Sequence, residues 1–430
     1  MKTILQYLQQ YQRIVLLILV GLWILYAQNT VKEAVARPAT TWMNVYSYKD
    51  FGTEEKVREY LRDLRTGIAP VFSYLEITSY NSSENIDWVI KGLYQKGIIL
   101  AFLLPVFLVR RKWWEYAFTL IIGVIFVEST LLIHPGNPQL YDVWLPAFLL
   151  AYILFSRISF GQSRFKPINI LAAILAGFAL SMAELSRPFL LLIIPFLLAY
   201  NFYHYRKTAK QRFLYFLIPF LLFSGLWHAK LLVYNHGQVF WSNHGGANLA
   251  NAWAPIMDVP AMERELSQEA PPVNNYGWAK TNLNTQVHAD NGKIRQKHVF
   301  RAIFQKPGAA IGLFFKKMFV FTAPQTGMYG YNPEGTILIF YRVIVKLLFF
   351  ILGFLIIWAI MAGIRNWRFF TSEDFLLIFL TAFLCFIPII GEYGEESRFL
   401  ISVLPFLTLT GIYGIRTGYS LVQNYRKKVQ

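Results

Sequence analysis

The sequence predicts an all-α polytopic membrane protein with about ten transmembrane helices and two soluble regions on its outer face. Three observations predict it. Hydrophobic residues fill 55% of the 430 positions and charged residues only 15%, against about 25% charged in an ordinary soluble domain. Runs of the length a bilayer core demands, about 20 apolar residues per helix, recur along most of the chain. Lys and Arg gather in short patches between those runs, as the positive-inside rule describes.

We take the elements in order. Lys2 and Arg13 precede the first apolar run, and "AVA" at 34–36 offers a signal-peptidase site, but we read 14–30 as an uncleaved first helix. Residues 31–92 follow as the first outer region. Within it "GTEEKVREYLRDLRTG", at 52–67, has helical charge spacing, with Thr53 as N-cap and Gly67 at its end. Further spans are read at 94–109, 115–133, 142–157, 168–184, 187–204 and 213–231. Residues 232–336 form the second outer region, in which "SNHGGANLANAWAP", at 242–255, reads as irregular loop. The apolar stretch 308–322 is short and holds Lys316 and Lys317 near its middle, where a lipid-facing charge would cost several kcal/mol. We read it as an interfacial amphipathic helix, which keeps the count of spans even. The last spans are 337–362, 374–391 and 399–415. The chain thus divides into an N-terminal bundle at 1–231, an outer loop at 232–336, and C-terminal helices with a cytoplasmic tail at 337–430.

Charge then sets orientation. Arg110 to Lys112, Arg157 with Arg164 and Lys166, Arg206 to Arg212, Arg365 with Arg368, and Arg416 with Arg426 to Lys428 all share the side of the N-terminus. That side is cytoplasmic by the charge rule. The net charge of +17 therefore reports topology, and no nucleic-acid partner is expected. Short cytoplasmic loops suit a bacterial inner membrane, with the opposite face toward the periplasm. The single cysteine, Cys385, excludes an intrachain disulfide and a thiolate metal site.

Ionisable residues at a membrane edge are functional candidates, and four groups share the outer edge. Asp50 lies in "YSYKDFG"; Glu128 and Asp142 flank the hairpin "VESTLLIHPGNPQLYDVW"; Glu184 and Arg187 sit in "AELSRPFLL"; Glu392, Glu395, Glu396 and Arg398 lead into the last span. Each has a plainer explanation. Arg187 and Arg398 can snorkel to headgroups, Asp142 can complement a helix dipole, and Glu54, Glu55 and Asp63 fit a solvated helix face. Taken together, two arginines and several carboxylates suit chemistry on an anionic lipid headgroup. Arginine holds phosphate oxygens through a fixed fork of donors, and a facing carboxylate can take a proton from an attacking acceptor. The histidines His134, His244, His288 and His298 match no zinc spacing; a divalent metal is possible but not favoured. Trp241, Trp253, Tyr276 and Trp278 can stack on a sugar or form an interfacial belt, and Asn81 opens a glycosylation sequon.

Several segments bear a family likeness. "FALSMAELSRPFLLLIIPFLLAY" at 178–200, "SNHGGANLANAWAP", "HVFRAIFQKPGAAIGLFFKKMFVFTAP" at 298–324 and "ESRFLISVLPFLTLTGIYGI" at 396–415 resemble, in that order, segments of GT-C membrane glycosyltransferases. The likeness is to the glycosyltransferase family 39 relatives of protein O-mannosyltransferases, and it covers most of 115–415. It implies an inverting transferase that takes a polyprenyl-phosphate-linked sugar as donor, with no certain cofactor, and passes the sugar to a glycan, lipid or protein acceptor at the periplasmic face. It implies Asp50 as catalytic base and Arg398, helped by Arg187, as the donor-phosphate site. Asp142, Glu128, Glu184 and Glu396 would line the donor or acceptor site. The family's acidic neighbour and tyrosine near the early aspartate are missing around Asp50. Two alternatives stand: an O-antigen polymerase or ligase, which uses diphosphate-linked glycans, and a lipid-sugar flippase or transporter, which places its polar residues near the midplane.

Overall fold

A computed structural model describes residues 10–35, 84–109, 112–133, 140–161, 166–208, 210–234, 245–267, 286–321, 336–365, 372–391 and 400–429. Outside them lie Asp50, the predicted helix 52–66 with Thr53 and Gly67, Asn81, His134, Trp241, His244, Tyr276, Trp278, and the stretch bearing Glu392, Glu395, Glu396 and Arg398. The described residues contain helices and turns and no strand.

In chain order the helices are α1 (Gln12–Val35), α2 (Glu84–Leu108), α3 (Trp113–Ile133), α4 (Leu140–Phe160), α5 (Lys166–Ser186), α6 (Ile194–Thr208), α7 (Lys210–Phe220) and α8 (Leu226–Tyr234). There follow α9 (Gly245–Trp253), α10 (Val259–Glu265), α11 (Gln286–Gln305), α12 (Pro307–Phe321), α13 (Thr336–Arg365), α14 (Ser372–Gly391) and α15 (Leu400–Val429). Among the described residues four segments are long and apolar enough to cross a membrane: Asp142–Phe160, Pro167–Ser186, Lys210–Val233 and Glu373–Gly391. They coincide with four of the predicted spans. Shorter apolar helices lie at Gln12–Tyr26, Gln95–Leu108 and Trp113–Ile125.

Small residues decide how closely the central helices approach. Ala173, Ala176, Ala179 and Ala183 of α5 are buried, and a Cβ at Gly177 would overlap the carbonyl oxygen of Phe216 on α7. Without side chains between them, the two backbones touch, as membrane helices do at small-residue seams. Farther along, a Cβ at Gly411 of α15 would meet Leu348 of α13 at 2.5 Å. One core runs through the bundle from Trp23 to Ile412. A second, smaller core joins α9, α10 and α11 around Ala250, Trp253, Met262 and Val299.

Three expectations need correction. The stretch 242–255 is not irregular throughout: 245–253 is helix α9, followed by a 3-10 turn at Ala254–Ile256. Its glycine is a packing device, because a Cβ at Gly246 would stand 2.5 Å from the Cα of Gly292 on α11. The span expected at 187–204 starts with a 3-10 turn, Pro188–Leu192, before α6. Proline drives the residue ahead of it to extended backbone, and Arg187 has φ −142° and ψ 100°. The third concerns Trp253, expected either to stack on a sugar or to join an interfacial belt. It is buried in the second core, and its indole N–H donates to the carbonyl of Ile390 at 2.9 Å, joining that core to the end of α14.

Candidate functional site

Two polar clusters mark opposite ends of the bundle. At one end, Glu115 and Thr119 of α3 are buried. Glu115 accepts from the backbone N–H of Lys112 at 3.3 Å and from the guanidinium of Arg416 on α15. This carboxylate stands in the first turn of α3, where the helix dipole favours negative charge. Elsewhere in the bundle Ser159 pairs with Tyr205 at 2.7 Å, and the amide of Asn201 donates to Tyr152 at 2.6 Å.

The other end gathers residues from four elements. Asp142, in the first turn of α4, is wholly buried. Its Oδ1 accepts from Nε of Arg187 at 2.9 Å and from Nη2 of the same guanidinium. Arg187 closes the last turn of α5, its N–H bonding the carbonyls of Ala183 and Glu184. Acid at a helix start and base at a helix end both suit the dipoles, so this pair is stabilising by position. Ser402, in the first turn of α15, donates to the backbone carbonyl of Asp142 at 2.8 Å. That bond fixes the start of α15 beside the start of α4.

Glu184 is different. It is wholly buried and stands in the final turn of α5, where the dipole disfavours a carboxylate. Its compensation comes from one helix. Ser224 donates to Oε2 at 2.6 Å and His228 meets Oε1 at 2.8 Å. Between α7 and α8 the chain makes a π turn, Leu221–Gly225, which contains the buried Ser224. Such turns are uncommon and concentrate at functional sites. Pro219, buried in α7, lacks an N–H and so loosens the ladder just before the turn. A buried carboxylate, a hydroxyl and an imidazole thus meet at Glu184, three residues before Arg187 in the chain. The imidazole is 17% exposed in its side chain, whereas Glu184 is fully enclosed, so His228 is the member of the group that reaches outward.

The sequence candidates fall out as follows. Asp142 and Arg187 are brought into contact, and Glu184, three residues before Arg187, is bonded instead to Ser224 and His228. Glu128 lies on α3, but its side chain is outside the described residues, as is that of His288 on α11. Asp50, Glu396 and Arg398 are outside them altogether. His298 belongs elsewhere: it bonds Glu265 at 3.0 Å, and this hydrogen bond, helped by Lys297, holds the Glu265 carboxyl below its ordinary range. Ser224 and His228 were missed. The signal was present, since His228 interrupts the apolar run "LLFSGLWHAKLL" at 221–232, and an ionisable group inside such a run is itself a candidate. Among the described residues no three His, Cys, Asp or Glu side chains gather so as to hold a metal ion. Compared with family models, curated proteins and solved structures, the chain matches none.

Proposed function

We propose that the protein is a membrane glycosyltransferase, with about ten spans, that moves a sugar from a polyprenyl-phosphate donor to an acceptor at the periplasmic face. One observation carries most weight: the Asp142–Arg187 pair and the Glu184–Ser224–His228 group sit together at one end of the bundle. The first offers a guanidinium held in place by a buried carboxylate. The second offers a base.

In this reading the lipid tail lies between helices and the donor phosphate meets Arg398, with Arg187 beside it. Arg398 lies four positions before Ser402, a reach of at most about 14 Å, and Ser402 is bonded to Asp142. The guanidinium stabilises charge on the departing phosphate. Asp50 takes the acceptor's proton; His228, polarised by Glu184, is the second residue suited to that role. Direct displacement inverts the anomeric centre. Glu128 and Glu396 remain candidates for lining the acceptor side. A flippase would place its polar groups near the midplane, whereas these crowd one end. A polymerase or ligase differs by its diphosphate-linked donor.

The test is incubation of purified protein with radiolabelled polyprenyl-phosphate sugars and candidate acceptors. Label should move in one donor–acceptor pair and fail to move in Arg398→Ala. Asp50→Asn and His228→Gln then decide the base. No exchange with any monophosphate donor, together with exchange from a diphosphate donor, would replace this reading with the polymerase one.

A further inference from the structure

A second lipid-facing site emerges where α12 meets α13. Phe314 of α12 packs on Phe386 near the end of α14, with ring centroids 5.6 Å apart. Farther along, Phe321 reaches Phe349 in the middle of α13 at 5.5 Å, and the Lys346 ammonium sits 4.7 Å over the ring of Phe319. The contacts advance in step, so the two helices run in the same direction. Arg342, one turn before Lys346, therefore comes level with Lys316.

Neither helix contains Asp or Glu. Lys316 and Lys346 are exposed, Arg342 is half-buried, and its buried Nε bonds nothing among the described residues. Around them the surface is apolar: Phe315, Phe319, Leu347 and Phe350 are 56%, 64%, 56% and 75% exposed. Cations flanked by bare hydrocarbon on a membrane-facing wall call for an anion that brings hydrocarbon with it. Snorkelling alone does not satisfy them, because Lys346 lies over a ring and the Arg342 Nε is turned inward.

We propose that this junction binds an anionic phospholipid. Its phosphate takes the fork of Arg342 with Lys316 and Lys346 alongside, and its acyl chains follow the Phe315–Phe319 and Leu347–Phe350 stripes. The proposal rests on α13 crossing a bilayer and not on sugar transfer, so it survives or fails independently of that activity.

The experiment is native mass spectrometry of the protein released from nanodiscs of mixed phosphatidylglycerol and phosphatidylcholine. The wild type should retain phosphatidylglycerol in preference. Arg342→Gln with Lys346→Gln should lower that preference roughly 30-fold, at about 1 kcal/mol per charge. The charge-keeping pair Arg342→Lys with Lys346→Arg should hold most of it, which separates electrostatics from misfolding. An unchanged preference in the neutral pair, an equal loss in Arg187→Gln, or displacement of the lipid by soluble glycerol phosphate would each overturn the proposal.

Discussion

The two ends of the bundle both bury a carboxylate against a cation, yet they solve different problems. At the Glu115 end the acid caps the start of α3 and pairs with Arg416. Helix dipole, capping and ion pairing all favour the same arrangement there. At the Asp142 end that agreement holds for Asp142 and Arg187 but breaks at Glu184, a carboxylate at a helix C-terminus, held by a hydroxyl from a π turn and by an imidazole. A site that violates local preference while its neighbours obey it is where function is to be sought.

Neutralising the two carboxylates breaks the comparison most directly. Glu184→Gln, which removes the carboxylate that polarises His228, should lower sugar transfer by about 10²-fold, the low end for a lost acid–base group, with folded yield near wild type. Glu115→Gln should do the reverse. It leaves Arg416, whose side chain is 21% exposed, without its carboxylate, a loss of roughly 1–3 kcal/mol, while activity per folded molecule stays unchanged. Thermal melts in detergent beside single-turnover assays would show both.

The next prediction sharpens the role of Arg187. Arg187→Gln leaves Asp142 buried without its cation and should cost about 3–5 kcal/mol. Adding Asp142→Asn should recover much of that stability, since both charges are then gone. Activity should stay low in the double variant if Arg187 also faces the phosphate, and return if its work is structural.

A smaller effect tests the seam that holds α7 and α8 in place. Gly177→Ala forces a methyl into the Phe216 carbonyl and should destabilise by roughly 1–3 kcal/mol. Because α7 leads into the π turn, the Ser224 and His228 contacts should loosen with it, and transfer should fall more than in a control such as Gly353→Ala, where open space surrounds the new Cβ.

The smallest effect belongs to α10 and α11. The Glu265 carboxyl is held below its ordinary range by His298. A lowered carboxyl adds stability above its unfolded pKa and loses it as pH falls through the folded one. Hydrogen exchange of α11 should therefore quicken slightly in the acid range below pH about 4, and Glu265→Gln should remove that dependence.

Much of the frame was legible in the sequence, for reasons that also explain the gaps. Asp142 and Arg187 stand at the borders of long apolar runs, where a charge is conspicuous, and their pairing follows once both borders lie at one end. His228 and Ser224 sit inside such a run, masked by the leucines around them. The bond from Glu115 to Arg416 joins residues 301 positions apart, which no local pattern announces. Helix α9 was read as loop because Gly and Asn are poor helix formers. Packing of Gly246 on Gly292 overrode propensity.

The most direct test compares Glu184→Gln with Glu115→Gln in membranes normalised for folded protein, following release of free polyprenyl phosphate from a labelled donor in the presence of acceptor. Near-complete loss in the first and wild-type release in the second is the expected result. Full release by the Glu184 variant, or equal loss in both, would show that the Asp142 end is not where the sugar moves.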